Sequence, residues 1–424
     1  MNKSDTERMS GMLTSFGMVR TDEENEADLL IINTCSIRQL AEDKAFSKLG
    51  VWGKMKKERP EIKIGICGCV AQVKSAEIKR RAPYVDLIFG THNIKELPEL
   101  VKKLGDDERI ISVPTTPYNC TEDYPINRDK SVNAWIPITE GCNNFCTYCV
   151  VPFTRGRERS RSMEEIIKET KNALNDGFKE ITLLGQNVDS YGKDFNDGKS
   201  TLANLLRELN KIEGKFRLRF VTSYPSDITD DLIKAVSECD KVCKYFHIPM
   251  QSGNTDILKA MNRRYNREEY GEIIKKIRNT FDDVCITSDF IAGFPGETVE
   301  QFKDTLTAIQ EFELDYSNTA AYSPRPNTKA AIMTDLFLSE EVKSERLARL
   351  NDCNKKAVQH SNQKCIGKIY EVLVESIDEN EKVLTARTEG NKIVHIKSDK
   401  YNIGDFINVK ITGANVWCLF GEIV

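Results

Sequence analysis

Three cysteines crowd into the segment Glu140-Gly-Cys-Asn-Asn-Phe-Cys-Thr-Tyr-Cys149. The spacing, C-x3-C-x2-C, lets one tight loop aim the thiolates of Cys142, Cys146 and Cys149 at a single centre. Thiolates are soft ligands that suit iron–sulfur clusters or zinc. A structural zinc site normally takes four protein ligands, and Cys120 and His247 lie far along the chain. Three thiolates on a four-iron cluster leave one iron open. S-adenosylmethionine (SAM) can chelate that iron through its amino and carboxylate groups. An electron from the cluster then splits the sulfonium and yields a 5′-deoxyadenosyl radical. Zinc with a distant fourth ligand, or three buried thiols, are the alternatives. Phe145 and Tyr148, inside the loop, would shield the cluster from water and touch an adenine.

Just after the loop, Arg155, Arg157, Arg159 and Arg161 occupy alternating positions. They read as a basic lip for RNA phosphates or for SAM, partly offset by Glu158. The whole chain has no such bias: 61 Lys and Arg against 65 Asp and Glu give a net charge of −4. That excludes a whole-surface nucleic-acid binder and leaves room for a local patch. No run of 18 apolar residues appears and the N-terminus has no apolar signal core, which points to the cytoplasm and to no membrane. In a reducing compartment, 13 cysteines call for metal rather than a disulfide framework. Cys239, Cys243, Cys285, Cys353, Cys365 and Cys418 stand alone among apolar or helical neighbours and read as buried hydrophobes.

The elements that must position these residues fall into three blocks. The chain of 424 residues is too long for one ordinary core. Residues 1–120 carry short apolar runs at 29–32, 62–66 and 85–89, as buried parallel strands do. The proline-bearing stretch 115–130 reads as a linker. Residues 128–362 alternate strand and helix signals, with strands expected at 181–184, 218–221, 245–248, 284–291 and 316–322. One helix opens on Ser162 and Glu165, spaced as a capping box, and stops near Gly177. Repeated βα units imply a parallel sheet, closed or partly closed into a barrel, with its chemistry at the strand ends. Gln186, Asn187, Ser223, Gln251 and Gly293 all follow strand candidates. Residues 363–424 change to five short strand-like runs (369–374, 383–387, 392–396, 407–411 and 416–420). This reads as a small all-β barrel of the kind that holds single-stranded RNA. The fold class is therefore α/β: a parallel-sheet domain, a partial (β/α) barrel, and a small β-barrel.

With its cysteine motif, the chain resembles the methylthiotransferases of the radical SAM superfamily. Asn33-Thr-Cys-Ser-Ile-Arg38 and Gly68-Cys-Val-Ala-Gln72 carry the resemblance in the N-terminal block. Val151-Pro-Phe-Thr-Arg-Gly-Arg-Glu-Arg-Ser-Arg161, Leu184-Gly-Gln-Asn-Val-Asp-Ser-Tyr191, His247-Ile-Pro-Met-Gln-Ser-Gly253 and Gly293-Phe-Pro-Gly-Glu-Thr298 carry it in the centre. The C-terminal block is similar to the family's TRAM (OB-like) RNA-binding barrel. Within the family, Asn33 to Arg38, Ser323-Pro-Arg-Pro-Asn-Thr328 and Ala386-Arg-Thr-Glu-Gly-Asn391 are most similar to the MiaB-like tRNA branch.

The resemblance implies methylthiolation at C2 of an N6-isopentenylated adenosine beside the anticodon. Sister branches act on threonylcarbamoyladenosine in tRNA or on a ribosomal-protein aspartate. A non-catalytic RNA-binding metal protein is the alternative of another class. The resemblance also implies that Gln186 meets the SAM amino group and that Ile291 and Gly293 run along its adenosine, with Ser223, His247 and Gln251 near the pocket. It implies a second [4Fe-4S] cluster on three N-terminal cysteines, of which Cys35 and Cys69 match two. The third belongs to a Gly-Cys-Gln-Met-Asn type motif, and this sequence begins where that motif ends. Cys67 is a candidate substitute, since in an extended strand it shares a face with Cys69. Sulfur would come from or through that cluster, and a second SAM would supply the methyl group. No side chain is assigned as acid or base. The expected partners are tRNA, an electron donor and a sulfur source, and the chain is expected to be a monomer.

Overall fold

The computed structural model describes residues 1–35, 39–104, 109–114 and 125–424. The chain forms two compact units. The first takes in Met1–Lys130, Glu140–Arg161 and Ser323–Thr328; the second takes in Ser131–Thr139, Ser162–Tyr322 and Lys329–Val424.

The first unit is built on four parallel strands lying side by side in chain order: β1 (Leu29–Thr34), β2 (Lys63–Gly68), β3 (Leu87–Phe89) and β4 (Ile110–Ser112). Helices α1 (Asn2–Ser15), α2 (Gln39–Glu58), α3 (Cys69–Arg81) and α4 (Leu97–Lys103) complete it. Ile62, Ile64, Ile66, Val70, Leu49 and Trp52 pack together in one apolar cluster. Cys67, Leu87 and Phe89 pack with Met9, Met12 and Leu97 in another. A sheet buried on both faces explains the unbroken apolar runs. The three expected strands form; β4 is too short to give a sequence signal. Residues 115–124 of the expected linker lie outside the described residues.

The second unit contains six parallel strands in two three-stranded sheets. One joins β5 (Asn133–Pro137), β8 (Glu180–Leu184) and β9 (Arg217–Phe220); the other joins β10 (Tyr245–His247), β11 (Cys285–Ala292) and β12 (Tyr316–Ala321). A parallel bridge between Leu218 and Val242 links them into a partial barrel. (Two-residue strands β6, Thr139–Glu140, and β7, Arg159–Ser160, pair separately.) The covering helices open on side-chain caps: Ser162 for Met163–Asn175, Thr201 for Leu202–Asn210, Thr229 for Asp230–Glu238 and Ser339 for Glu340–Gln363. Asn266 and Thr298 open Arg267–Thr280 and Val299–Glu311 with full capping boxes.

The last five strands close into a barrel in the order β13 (Ile369–Asp378), β14 (Val383–Thr388), β15 (Ile393–Lys397), β17 (Leu419–Ile423), β16 (Phe406–Ala414). Its final strand begins later than the expected 416–420. The Asn415 side-chain oxygen accepts the N–H groups of Trp417 and Cys418 at 2.7 and 2.8 Å, and so spends that stretch on a turn. This small barrel is joined to the base of the larger one. Arg217 donates to the carbonyls of Arg387 and Glu371, both at 2.7 Å. Arg219 donates to the carbonyl of Glu389 at 2.8 Å and to both Glu180 oxygens at 3.0 Å. Of the six cysteines read as buried, five are; Cys353 is only half-buried.

Candidate functional site

The cysteine loop belongs to the first unit. Gly141 enters it at φ +83°, and a Cβ there would collide with the Arg157 carbonyl. The Cys142 N–H then donates to the Gly156 carbonyl at 3.2 Å, and the Cys149 N–H to the Cys146 carbonyl at 3.0 Å. These bonds turn the chain back on itself. None of the three cysteines is in a disulfide; Cys142 is buried and Cys146 and Cys149 are half-buried. Burial lifts the Cys142 thiol to about 11, so cationic iron is what would keep its thiolate in place. Among the described residues no three Cys, His, Asp or Glu side chains converge on a single ion. A four-iron cube is wider than an ion and takes its thiolates around its corners. Three soft donors on one loop are the donor set an iron–sulfur cluster takes. Phe145 sits at φ +50° with the Arg157 guanidinium 4.5 Å above its ring. Tyr148 is half-buried.

The basic lip needs correcting. Arg155 is 2% exposed and is a buried cation. It pairs with Asp5 at 2.5 Å and Glu140 at 2.7 Å. Burial works against its charge, yet these two carboxylates hold its proton more firmly than usual. Arg159 leans on Glu140 at 3.5 Å. Arg157 is exposed and Arg161 half-buried. The alternation of arginines in sequence hid this division, because the carboxylate that buries Arg155 comes from α1.

Cys35 and Cys69 share one edge of the first unit's sheet. β1 and β2 pair up to Thr34 and Gly68, and each cysteine is the next residue. The expected kinship of Cys67 with Cys69 fails locally. The strand stops at Gly68, whose φ of +89° turns the chain, and Cys69 begins α3. Cys67 points into the core, its sulfur 3.7 Å from that of Met9. Desolvation raises its thiol well above the ordinary range. The described residues thus supply two thiols at the sheet edge and no third beside them, which fits a second cluster only in part.

The second unit carries the remaining residues at the C-terminal ends of barrel strands. Ser223 is buried; its N–H donates to the His247 carbonyl at 2.9 Å and its hydroxyl to Asp189 at 3.0 Å. Asp189 also accepts the Tyr224 N–H at 3.0 Å, and burial raises its carboxyl to about 7. Gln251, at φ +76°, bridges into β11: its N–H donates to the Asp289 carbonyl and its carbonyl accepts from Ile291. Gly293 has φ +75°, with Lys343 Cγ 2.6 Å from where a Cβ would be. Its N–H donates to Glu297 at 2.9 Å, and Arg346 holds the same carboxylate at 2.8 Å. Glu297 therefore braces the turn. Gln186 is half-buried. Beside it the Asn187 side-chain nitrogen donates to Asp227 at 2.6 Å, while its buried oxygen finds no partner among the described residues. An orphaned acceptor at a strand end suits the ammonium group of SAM. Asp189 was missed in the sequence, because an acid inside a quoted motif gives no sign of being buried.

The fold and these motifs define a radical SAM enzyme. The chain matches the Radical SAM superfamily over residues 136–309, the uncharacterised protein family UPF0004 over 1–90, and the TRAM domain over 363–424. A tRNA-2-methylthio-N(6)-dimethylallyladenosine synthase of Acetivibrio thermocellus is 46% identical over all of this chain and 89% of its own. That of Thermoanaerobacter pseudethanolicus is 45% identical over all of this chain and 90% of its own. Among solved structures, the radical SAM methyltransferase TsrM from Kitasatospora setae, with cobalamin and a [4Fe-4S] cluster bound, aligns at TM-score 0.54 and 15% identity. That alignment covers 76% of this chain and 68% of TsrM. The chain belongs to the family of the tRNA-2-methylthio-N(6)-dimethylallyladenosine synthases, radical SAM enzymes that transfer sulfur-containing groups. Radical SAM enzymes work with [4Fe-4S] clusters and SAM. No helix among the described residues is long and apolar enough to cross a membrane.

Proposed function

We propose that this chain adds a methylthio group to C2 of N6-isopentenyladenosine next to the anticodon of tRNA. The observation that carries this reading is the full-length similarity to enzymes named for that product. The loop and the small β-barrel agree with it. Cys142, Cys146 and Cys149 would hold a [4Fe-4S] cluster, and Cys35 and Cys69 a second. When bound with SAM, the loop cluster supplies the radical that opens an otherwise inert aromatic C–H position. The protein's own part is to bind, orient and exclude water. Asn187 and Gln186 would meet the polar end of SAM. Ser223, Gln251, Ile291 and Gly293 would line its nucleoside, with Phe145 and Tyr148 over the cluster. Arg157 and Arg161 would take RNA phosphates. Trp417, 81% exposed on its pinned turn, and Phe420, 42% exposed, would stack bases. An electron donor and a sulfur source are further partners, for a monomer at work in the cytoplasm.

The test is anaerobic reconstitution with three anticodon stem-loops, carrying isopentenyl-, threonylcarbamoyl- or unmodified adenosine. Mass spectrometry should find methylthio product from the first alone. Product from the second and not the first would overturn the substrate.

A further inference from the structure

One buried amide at the strand ends of the partial barrel is bonded at one end only. Asn187, just past β8, is buried. Its side-chain nitrogen donates to Asp227 Oδ2 at 2.6 Å, while its side-chain oxygen, also buried, has no hydrogen-bond partner among the described residues. Asp227 stands 40 residues further on, in the short turn Pro225–Asp227 that follows β9. The Asp227 N–H donates to the Tyr224 carbonyl at 2.8 Å and pins that turn. Its other carboxylate oxygen takes the Lys193 ammonium. The backbone of Asn187 is held as well. Its carbonyl accepts the Ser190 hydroxyl at 2.8 Å, and the Val188 N–H donates to the Thr222 carbonyl at 3.1 Å.

The two ends of an asparagine amide are nearly equal in size, so its partners decide which end faces which way. A carboxylate only accepts, so the NH2 end must turn to Asp227 and the oxygen must turn away from it. The neighbouring carboxylate, Asp189, has no part in this, because its oxygens take the Ser223 hydroxyl and the Tyr224 N–H. A buried acceptor without a bond costs free energy, a cost that is removed where a ligand supplies the donor. An amino group that gives its lone pair to iron has only N–H donors left, and so needs an acceptor. With the amide reversed, donors would face donors.

We propose that Asp227 is a positioning residue, which locks the Asn187 amide with its oxygen toward the amino group of SAM. This rests on the reading above that Asn187 meets the polar end of SAM. Lys193 sets the sign of the consequence. With asparagine at position 227, the Lys193 ammonium draws the oxygen of the new amide to itself. The new NH2 group then faces Asn187, whose own amide must reverse. Without Lys193 the new amide is free to offer its oxygen to Asn187, and the original orientation returns. The Lys193 side chain is 57% exposed, so its removal leaves the packing intact.

The experiment is calorimetric binding to anaerobically reconstituted holoenzyme with two probes. S-adenosylhomocysteine carries the amino-acid end and has no sulfonium to cleave; 5′-methylthioadenosine lacks that end. Asp227→Asn should weaken S-adenosylhomocysteine about tenfold and leave 5′-methylthioadenosine unchanged. Lys193→Met alone should stay within about twofold of wild type, and added to Asp227→Asn it should restore most of the lost affinity. Undiminished binding in Asp227→Asn, an equal loss for both probes, or no recovery in the double variant would overturn the proposal. Asn187→Ala separates the two readings. If it keeps full affinity for S-adenosylhomocysteine, the reading of Asn187 as a SAM contact fails and the proposal with it. If it loses affinity while Asp227→Asn does not, the proposal alone fails. Should Asp227→Asn not fold, nitrogen-15 NMR of the full wild-type chain serves: one Asn187 side-chain amide proton should be protected from exchange before any ligand is added. Fast exchange of both protons would overturn the proposal.

Discussion

The two sets of candidate iron ligands are built on opposite principles. Cys142, Cys146 and Cys149 are gathered by one loop, fixed by short-range bonds such as that from Cys149 to Cys146. Cys35 and Cys69 are brought together by strand register, Thr34 opposite Gly68, across two strands and the helix between them. A loop of eight residues carries its ligand geometry with it. A sheet edge depends on every element that holds the register. The first set is therefore robust in folding and fragile only in its own residues; the second can be lost through residues that never touch iron.

Predictions follow from that contrast, the largest effect first. Alanine at Cys142, Cys146 or Cys149 should drop 5′-deoxyadenosine formation to background, and anaerobic SAM-cleavage assays would show it; persistent cleavage would break the contrast. Arg155→Ala should cost about 3–5 kcal/mol, because Asp5 and Glu140 are left buried without their cation. Denaturant melts would measure it. Gly68→Ala should cost about 1–3 kcal/mol through its φ of +89°, and more through collision with the Thr34 carbonyl. It should shift Cys69 away from Cys35, so that iron falls to about four per chain while SAM cleavage survives. An unchanged iron content would mean that register does not govern the second set. The smallest effect is expected from Cys67→Ala: about 1 kcal/mol of packing against Met9 and no change in iron. Loss of iron there would make Cys67 a ligand after all.

Much of this was legible beforehand. The five short strand-like runs of 363–424 read as a β-barrel, and the alternating burial along β14 and β16 shows one face of each strand turned to its core. The cap at Ser162 fixed where one helix begins. The strand at 416–420 was misplaced by three residues because Asn415 captures two N–H groups, a local competition invisible in hydropathy. The arginine run suggested a uniform lip, and its division into one buried, one exposed and two half-buried members depended in part on a helix some 150 residues away.

By itself, the sequence determined the chemistry available: three thiolates at cluster spacing in one loop, glycines where backbone must turn, and a β-barrel at the end. Such features are local, and local spacing sets local geometry. The tertiary structure alone decided which charges are spent on folding and which remain for function. Arg155 and Arg219 are consumed by buried carboxylates, Cys67 by the core, and Asp189 by the strand end. Arg157 stays exposed, its guanidinium over the Phe145 ring. Burial and partnership are properties of residues distant in sequence, so no pattern along the chain could have announced them.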